Sequence, residues 1–218
     1  MEKDFWLERW QREETGFHQQ DVNPYLRQFW HELYLARNST VFVPLCGKSR
    51  DMQWLRQQDH RVLGVEFSLR AVQAFFQENS QHPQRTSSEK FECYEADEIS
   101  IWCGDFFDLG KEDLAKVSAV YDRASLIALP PETRVRYARH LLSILPPGTQ
   151  ILLIAIDYPQ TEMSGPPFAI SSAEVQALYR GHAGIRLLSQ QDTLAQNPRF
   201  KERGLTSLKE SVFLLTLR

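Results

Sequence analysis

The 218-residue sequence lacks features that mark several classes of protein. It has no surplus of positive charge, since its formal net charge is −3, and non-specific binding to nucleic acid needs a basic surface. No apolar run approaches the roughly 18 residues of a membrane-spanning helix. The three cysteines form no CxxC pair and lack the ligand spacing of a zinc site, so we expect no metal. A small-molecule substrate is the remaining expectation, with neither nucleic acid nor membrane as partner.

The sequence also limits the expected compartment, domain number and oligomeric state of the protein. Met1 is followed by acidic and aromatic residues instead of the basic and apolar regions of a secretory signal. Unpaired cysteines fit a reducing compartment, so we expect a cytoplasmic protein. The hydrophobic fraction of 42% can fill one sizeable core, which predicts a single domain over residues 1–218. No surplus apolar segment needs a partner, and a monomer is the simplest expectation.

Residues 40–67 carry most of the functional information. An apolar run from Val41 to Leu45 predicts a buried strand, and Gly47 then supplies a turn before a short helix. The next apolar run, residues 61–67, predicts a second strand with Glu66 at its carboxyl end, 66 − 47 = 19 positions after Gly47. Nucleotide-binding α/β units place a carboxylate about 20 residues after the glycine turn, where it binds the ribose hydroxyls.

Glycine is scarce in this turn, and that scarcity restricts the ligand. Dinucleotide sites need several glycines so that backbone N–H groups can approach a pyrophosphate, whereas residues 45–49 contain one. An adenosine ligand without phosphates, such as S-adenosylmethionine, therefore fits better than NAD or ATP. Two alternatives stay open: Gly47 is an ordinary turn glycine and Glu66 a solvated strand-end acid, or the protein is a nucleotide-dependent oxidoreductase.

Residues 1–39 precede this unit and are rich in aromatic side chains. They predict two helices, the second capped by Asn23 with Pro24 at its first position. Trp6 and Trp10 are four residues apart in the first. Residues 1–39 therefore form either a helical lid over a bound cofactor, whose aromatic face attracts a sulfonium cation, or a helical segment docked by its tryptophans on the core of residues 40–218.

Two later strand ends add candidate site residues. Residues 99–103 are followed by a turn with Asp105 and Phe106, and residues 118–124 end in Asp122 and Arg123. Residues 77–89 are polar and predict a surface loop. The alternation of strands and helices predicts an open, mostly parallel α/β sheet with helices on both faces, and ligands bind at the carboxyl ends of its strands.

Several segments, in order, resemble the bacterial thiopurine S-methyltransferases. They are FWLERWQREETGFHQ, VFVPLCGKSRDMQWL, VLGVEFS, the FFDL turn, YDRASLIALPP, the GPPF loop and the FLLT strand. The resemblance implies a Rossmann-like class I methyltransferase fold, with a seven-stranded, mostly parallel sheet whose final strand is antiparallel. It also implies S-adenosylmethionine as the methyl donor and S-adenosylhomocysteine as the product.

The resemblance further implies roles for individual residues. The positions implied to bind the cofactor are Trp10, Leu45, Glu66, Asp105, Phe106 and Arg123. Phe17 and Arg199 are implied to contact the substrate, and Arg123 to assist catalysis. The implied reaction is an in-line attack of an aromatic or heterocyclic thiol on the methyl group. Methylation of selenium or tellurium compounds, and a non-catalytic adenosine-binding protein, stay open as alternatives.

Overall fold

One nine-stranded sheet forms the centre of the protein in a computed structural model, which describes residues 3–14 and 18–218. The strands lie in the order β3-β4-β5-β2-β1-β6-β7-β9-β8. Their bounds are β1 Thr40–Val43, β2 Arg61–Glu66, β3 Gln84–Ser87, β4 Glu92–Ala96, β5 Ile99–Cys103, β6 Val117–Arg123, β7 Gln150–Asp157, β8 Ala183–Asp192 and β9 Lys209–Leu217.

The middle of the sheet is parallel, as its sequence predicts. β5, β2, β1, β6 and β7 run in one direction, and β9 is antiparallel to β7. The central strands carry continuous apolar runs because helices cover both faces. The final strand is antiparallel, which confirms the prediction for the end of the chain.

The expected number of seven strands is wrong. A seven-stranded core is made by β5, β2, β1, β6, β7, β9 and β8. The hairpin of β3 and β4 extends this core beyond β5. β4 pairs with β5 as an antiparallel hairpin. β3 lies within residues 77–89, which the sequence predicted to be a loop, and all four of its residues are exposed. An edge strand with two solvated faces has no apolar alternation to reveal it.

Helices pack on both faces of the sheet and create two apolar cores. Their bounds are α1 Lys3–Gln11, α2 Pro24–Phe29, α3 Asp51–Gln57, α4 Leu69–Glu78, α5 Pro131–Ile144, α6 Ser172–Tyr179 and α7 Pro198–Glu202. α5 and α6 contribute to one core. α2, α3 and α4 contribute to the other. In the part of the chain that the structure describes, no helix is long and apolar enough to cross a membrane.

The N-terminal segment contains the two expected helices. Asn23 accepts hydrogen bonds from the backbone N–H groups of Tyr25 and Leu26, which caps α2. The backbone N–H of Asn23 donates to the buried carboxylate of Asp51, and that carboxylate also accepts from the Tyr121 hydroxyl at 2.9 Å. Asp51 therefore fixes the start of α2 against both α3 and β6.

Candidate active site

The turn after β1 and the end of β2 meet at the carboxyl edge of the sheet. Gly47 donates its backbone N–H to Oε2 of Glu66 at 3.0 Å, and Ser68 donates its own to Oε1 at 2.8 Å. Glu66 is 5% exposed. Each carboxylate oxygen can accept a further hydrogen bond, so this side chain suits a ligand with two neighbouring hydroxyl groups.

Burial dominates the electrostatics of Glu66. Desolvation raises the pKa of this carboxyl to about 7, although hydrogen bonds from the backbone of Ser68, Gly47 and Phe67 favour the ionised form. The group is therefore close to half ionised near neutral pH. A ligand that donates hydrogen bonds to it stabilises the carboxylate further.

Trp10 lies over the glycine turn. Gly47 has a φ of +53°, and a Cβ placed on it would lie 3.2 Å from Cζ2 of Trp10. Trp10 itself is buried. The Arg70 guanidinium contacts the Glu13 carboxylate at 2.6 Å, which joins the end of the α1 segment to α4. α1 thus covers the turn that presents Glu66.

Two strained residues border the same edge. Leu45, which follows β1, has a φ of +45°, and Ala124, which follows β6, has a φ of +69°. The Ser125 hydroxyl donates to the carbonyl oxygen of Pro44 at 2.7 Å and so joins the two strand ends. Left-handed backbone at residues other than glycine costs energy and is concentrated at functional sites.

The turn after β5 is adjacent to Glu66. Gly104 donates its N–H to the Glu66 carbonyl oxygen at 3.0 Å, and Asp105 accepts from the Phe107 N–H at 2.9 Å. The Phe106 ring is 2% exposed, and its centroid lies 4.8 Å from that of Tyr137 in the core. The contribution of Phe106 to a ligand site is therefore limited to its backbone.

Asp122 and Arg123 have different environments at the end of β6. Asp122 is fully buried and accepts a hydrogen bond from the Tyr137 hydroxyl at 2.7 Å. Burial raises its pKa to about 6. Asp122 is thus part of the core, whereas Arg123 is only partly buried. Burial and the charge of Lys48 lower the pKa of His18, and the charge of Arg123 lowers it further.

Some candidate residues lie away from these strand ends or outside the described residues. Phe17 is among the residues that the structure does not describe. Arg199 is exposed in α7. Arg203 follows α7. Burial raises the pKa of Tyr158, and the charge of Arg203 acts in the opposite direction. The charge of Arg123 acts on His18 and Glu210, which were not predicted as site residues because no local pattern connects them to β6.

The arrangement around Glu66 fits an adenosine ligand. Glu66 offers a buried acceptor, and the cover of Trp10 provides an aromatic surface beside it. Across residues 3–14 and 18–218, no three metal-binding side chains come together in a way that would hold an ion.

Comparisons with solved structures define the class. A Burkholderia thailandensis 1,6-didemethyltoxoflavin-N1-methyltransferase, solved with S-adenosylhomocysteine, matches with a TM-score of 0.66 at 14% identity, over 98% of this chain and 86% of its own. A SAM-dependent methyltransferase from Anabaena variabilis matches with a TM-score of 0.66 at 14% identity, over 99% and 94%. The fold is that of the class I S-adenosylmethionine-dependent methyltransferases.

Sequence comparisons define the family within that class. The model of the thiopurine S-methyltransferase family matches residues 1–218. The thiopurine S-methyltransferase of Nitrosospira multiformis is 61% identical over 218 residues, which is 100% of this chain and 99% of that protein. The Pseudomonas fluorescens SBW25 enzyme is 49% identical over the full length of both. The chain belongs to the thiopurine S-methyltransferase family, and it is a methyltransferase that uses S-adenosylmethionine.

Proposed function

We propose that the protein transfers the methyl group of S-adenosylmethionine to the sulfur of thiopurines or other aromatic and heterocyclic thiols. One observation carries the choice of an anionic sulfur. Arg123 lies at the carboxyl end of β6, two strands from Glu66, and no ion pair within the described residues neutralises it. A guanidinium at that position favours a thiolate over a neutral thiol.

The residues proposed for the cofactor lie along β1, β2 and β5. Glu66 receives the ribose hydroxyls, Leu45 borders the site at the end of β1, and the backbone at Asp105 and Phe106 faces the adenine. Trp10 covers the cofactor from α1. This assignment is supported by the packing of Trp10 on Gly47 and by the two hydrogen bonds that already orient the Glu66 carboxylate.

Bound S-adenosylmethionine supplies an electrophilic methyl group on a sulfonium. A heterocyclic thiolate is a good nucleophile at neutral pH, so the work of the protein is to hold the reactants in line and to exclude water. Arg123 stabilises the anionic sulfur before attack, and it is the proposed catalytic residue. Phe17 is proposed to stack on the acceptor ring.

The loop before β9 is proposed to complete the acceptor side. Arg199 is the basic residue that we assign to substrate binding there. Arg203 is a second basic residue of the same loop, and its charge acts on Tyr158. The Tyr158 hydroxyl donates to the Pro167 carbonyl oxygen at 2.5 Å. The predicted single domain, monomeric state and cytoplasmic location stay predictions.

A panel of acceptors tests this function. The purified protein would be incubated with S-adenosylmethionine and 6-mercaptopurine, thiophenol, selenite or tellurite, and methylated products would be identified by mass spectrometry. We expect S-methylation of both thiols. Methylation of the selenium or tellurium compounds alone would replace the thiol assignment. Binding of S-adenosylhomocysteine without methylation of any acceptor, even in a single turnover, would indicate a non-catalytic binding protein.

A further inference from the structure

Glu210 lies on the acceptor side of the site and has no role in the function described above. β9 runs antiparallel to β7, so its first residues are at the carboxyl edge of the parallel strands. Arg123 is opposite Ile154, which is opposite Val212, and Glu210 is opposite Ile156. Strand spacing therefore separates the Cα atoms of Arg123 and Glu210 by about 12 Å, two strands across and two residues along.

Both side chains belong to the same face of the sheet. Side chains alternate along a strand, so Arg123 shares a face with Tyr121, and Glu210 shares one with Val212. Tyr121 and Val212 both pack in the core beneath α2. Arg123 and Glu210 therefore extend from that face at the carboxyl edge, beside the N-terminal end of α2.

Tyr25 of α2 anchors the Glu210 carboxylate. Tyr25 is buried, and its hydroxyl interacts with Glu210. Burial, followed by this interaction, raises the pKa of Tyr25 to about 12. The Tyr25 hydroxyl thus keeps its proton near neutral pH and is available to donate a hydrogen bond to Glu210.

Arg123 and Glu210 oppose each other without direct contact. The charge of Arg123 acts on Glu210, whose pKa burial raises and whose interactions with Tyr25 and Arg123 lower. No ion pair joins the two in the described part of the chain. A hydrogen-bond donor and an acceptor thus lie on one face at the same sheet edge, with Cα atoms about 12 Å apart, and a ring with complementary groups can bridge them.

We propose that Glu210 is a specificity-determining residue whose carboxylate, held by Tyr25, accepts the ring N–H that neighbours the sulfur-bearing carbon of a heterocyclic thione. Arg123 contacts the sulfur of the same acceptor. The inference rests on the proposed function and deepens it, since it selects acceptors with an N–H beside C=S over simple aromatic thiols.

The proton balance of the reaction supports this pairing. When a thione is methylated, the acceptor sulfur forms a bond to the methyl carbon and the bond between that carbon and the donor sulfonium breaks. The acceptor also loses its ring proton, which passes to the Glu210 carboxylate before attack, while the N–H electron pair stays on the conjugated ring and gives the thiolate that Arg123 stabilises. The groups that act on Glu210 are the Arg123 charge from β6 and the Tyr25 hydroxyl from α2.

Two acceptors of equal ring size test the proposal. 2-Mercaptopyridine is a thione with an adjacent N–H, whereas thiophenol has no ring nitrogen. Binding of each would be measured in protein saturated with S-adenosylhomocysteine, where no turnover occurs, and kcat/KM would be measured with S-adenosylmethionine. Glu210→Gln should weaken 2-mercaptopyridine binding about 5- to 10-fold. It should lower kcat/KM for that acceptor about 100-fold, and change both values for thiophenol less than about twofold.

Control variants separate the proposal from general effects. Tyr25→Phe should give the same selective loss at smaller size, and it carries the test if Glu210→Gln fails to fold. Glu95→Gln removes one exposed carboxylate on β4, at the other end of the sheet, and should alter neither acceptor. Equal losses for both acceptors, or no loss for either, would overturn the inference. If the wild-type protein methylated neither, the proposed function would fail, and this inference with it.

Discussion

The two halves of the carboxyl edge are built in different ways. On the cofactor side, Glu66 is held by backbone N–H groups of Gly47 and Ser68, and all these residues belong to one continuous segment that runs from β1 to the N-cap of α4. On the acceptor side, Arg123 and Glu210 are 87 residues apart in sequence (210 − 123), and β7 separates their strands. The cofactor side is therefore held by backbone hydrogen bonds, whereas the acceptor side consists of two side chains of opposite charge.

This difference has a functional meaning. In the proposed function, the cofactor is bound by a local unit whose backbone geometry sets the site. The acceptor is bound by side chains from distant segments, which can be changed one at a time without disturbing the unit around Glu66. Variants on the two sides should therefore separate cofactor affinity from turnover.

The largest expected effect is on the acceptor side. Arg123→Ala should lower kcat with a thiol acceptor about 100-fold, since it removes the cation that holds the acceptor as a thiolate before attack. Affinity for S-adenosylhomocysteine, measured by calorimetric titration, should change much less than turnover. Arg123→Lys, which retains the charge without the guanidinium, should have intermediate activity.

Arg186 provides a matched control, because it is an exposed arginine on β8 whose ion pair with Glu32 spans 2.7 Å. Arg186→Ala should leave turnover unchanged. If Arg123→Ala were as active as Arg186→Ala, Arg123 would have no catalytic role and the contrast between the two halves would lose its basis.

The next effect belongs to the cofactor side and depends on pH. Burial raises the pKa of Glu66 from 4.5 to about 7, so the folded protein retains a proton that the unfolded chain releases. The contribution of Glu66 to stability is thus complete below pH 4.5 and is lost as the pH rises through about 7. Ribose hydroxyls donate to the ionised form, so affinity for S-adenosylhomocysteine should instead rise by up to about tenfold from pH 6 to pH 8.

Calorimetric titrations across this pH range measure the affinity, and thermal unfolding of the free protein measures the opposite trend. Glu66→Gln cannot ionise, so its affinity should be lower than that of the wild type at pH 8 and should lose most of its pH dependence. A wild-type affinity that does not vary between pH 6 and pH 8 would show that Glu66 does not bind the ribose as a carboxylate.

The contact between Gly47 and Glu66 was easier to predict from the sequence than the relation between Arg123 and Glu210. Gly47 and Glu66 are recognisable because their spacing is set by one turn, one helix and one strand, all of which leave local patterns. The antiparallel final strand was implied by the family resemblance and confirmed. Glu210 left no signal, since its relation to Arg123 depends on the pairing of three strands distant in sequence.

Two further differences have local causes. β3 was predicted as a loop because both of its faces are solvated, and the polar sequence of an edge strand then resembles a loop. Phe106 was predicted to lie near the adenine, and because its ring packs between Phe42 and Tyr137, only its backbone is proposed for that contact. Sequence position placed the turn correctly at the strand end, but it did not show which way an aromatic side chain in that turn would face.

The smallest expected effect tests whether the packing of Trp10 on Gly47 contributes to binding of S-adenosylhomocysteine. Gly47 and Gly148 both have positive φ values, of +53° and +80°, but a Cβ on Gly148 would meet nothing within 4 Å. Substitution of either by Ala should cost about 1 kcal/mol of stability through the backbone alone. Gly47→Ala should in addition press on Trp10 and weaken S-adenosylhomocysteine binding about threefold to tenfold, or about 1 kcal/mol. Calorimetry and thermal unfolding measure the two effects separately, and equal affinities in both variants would mean that α1 covers the turn without contributing to the cofactor site.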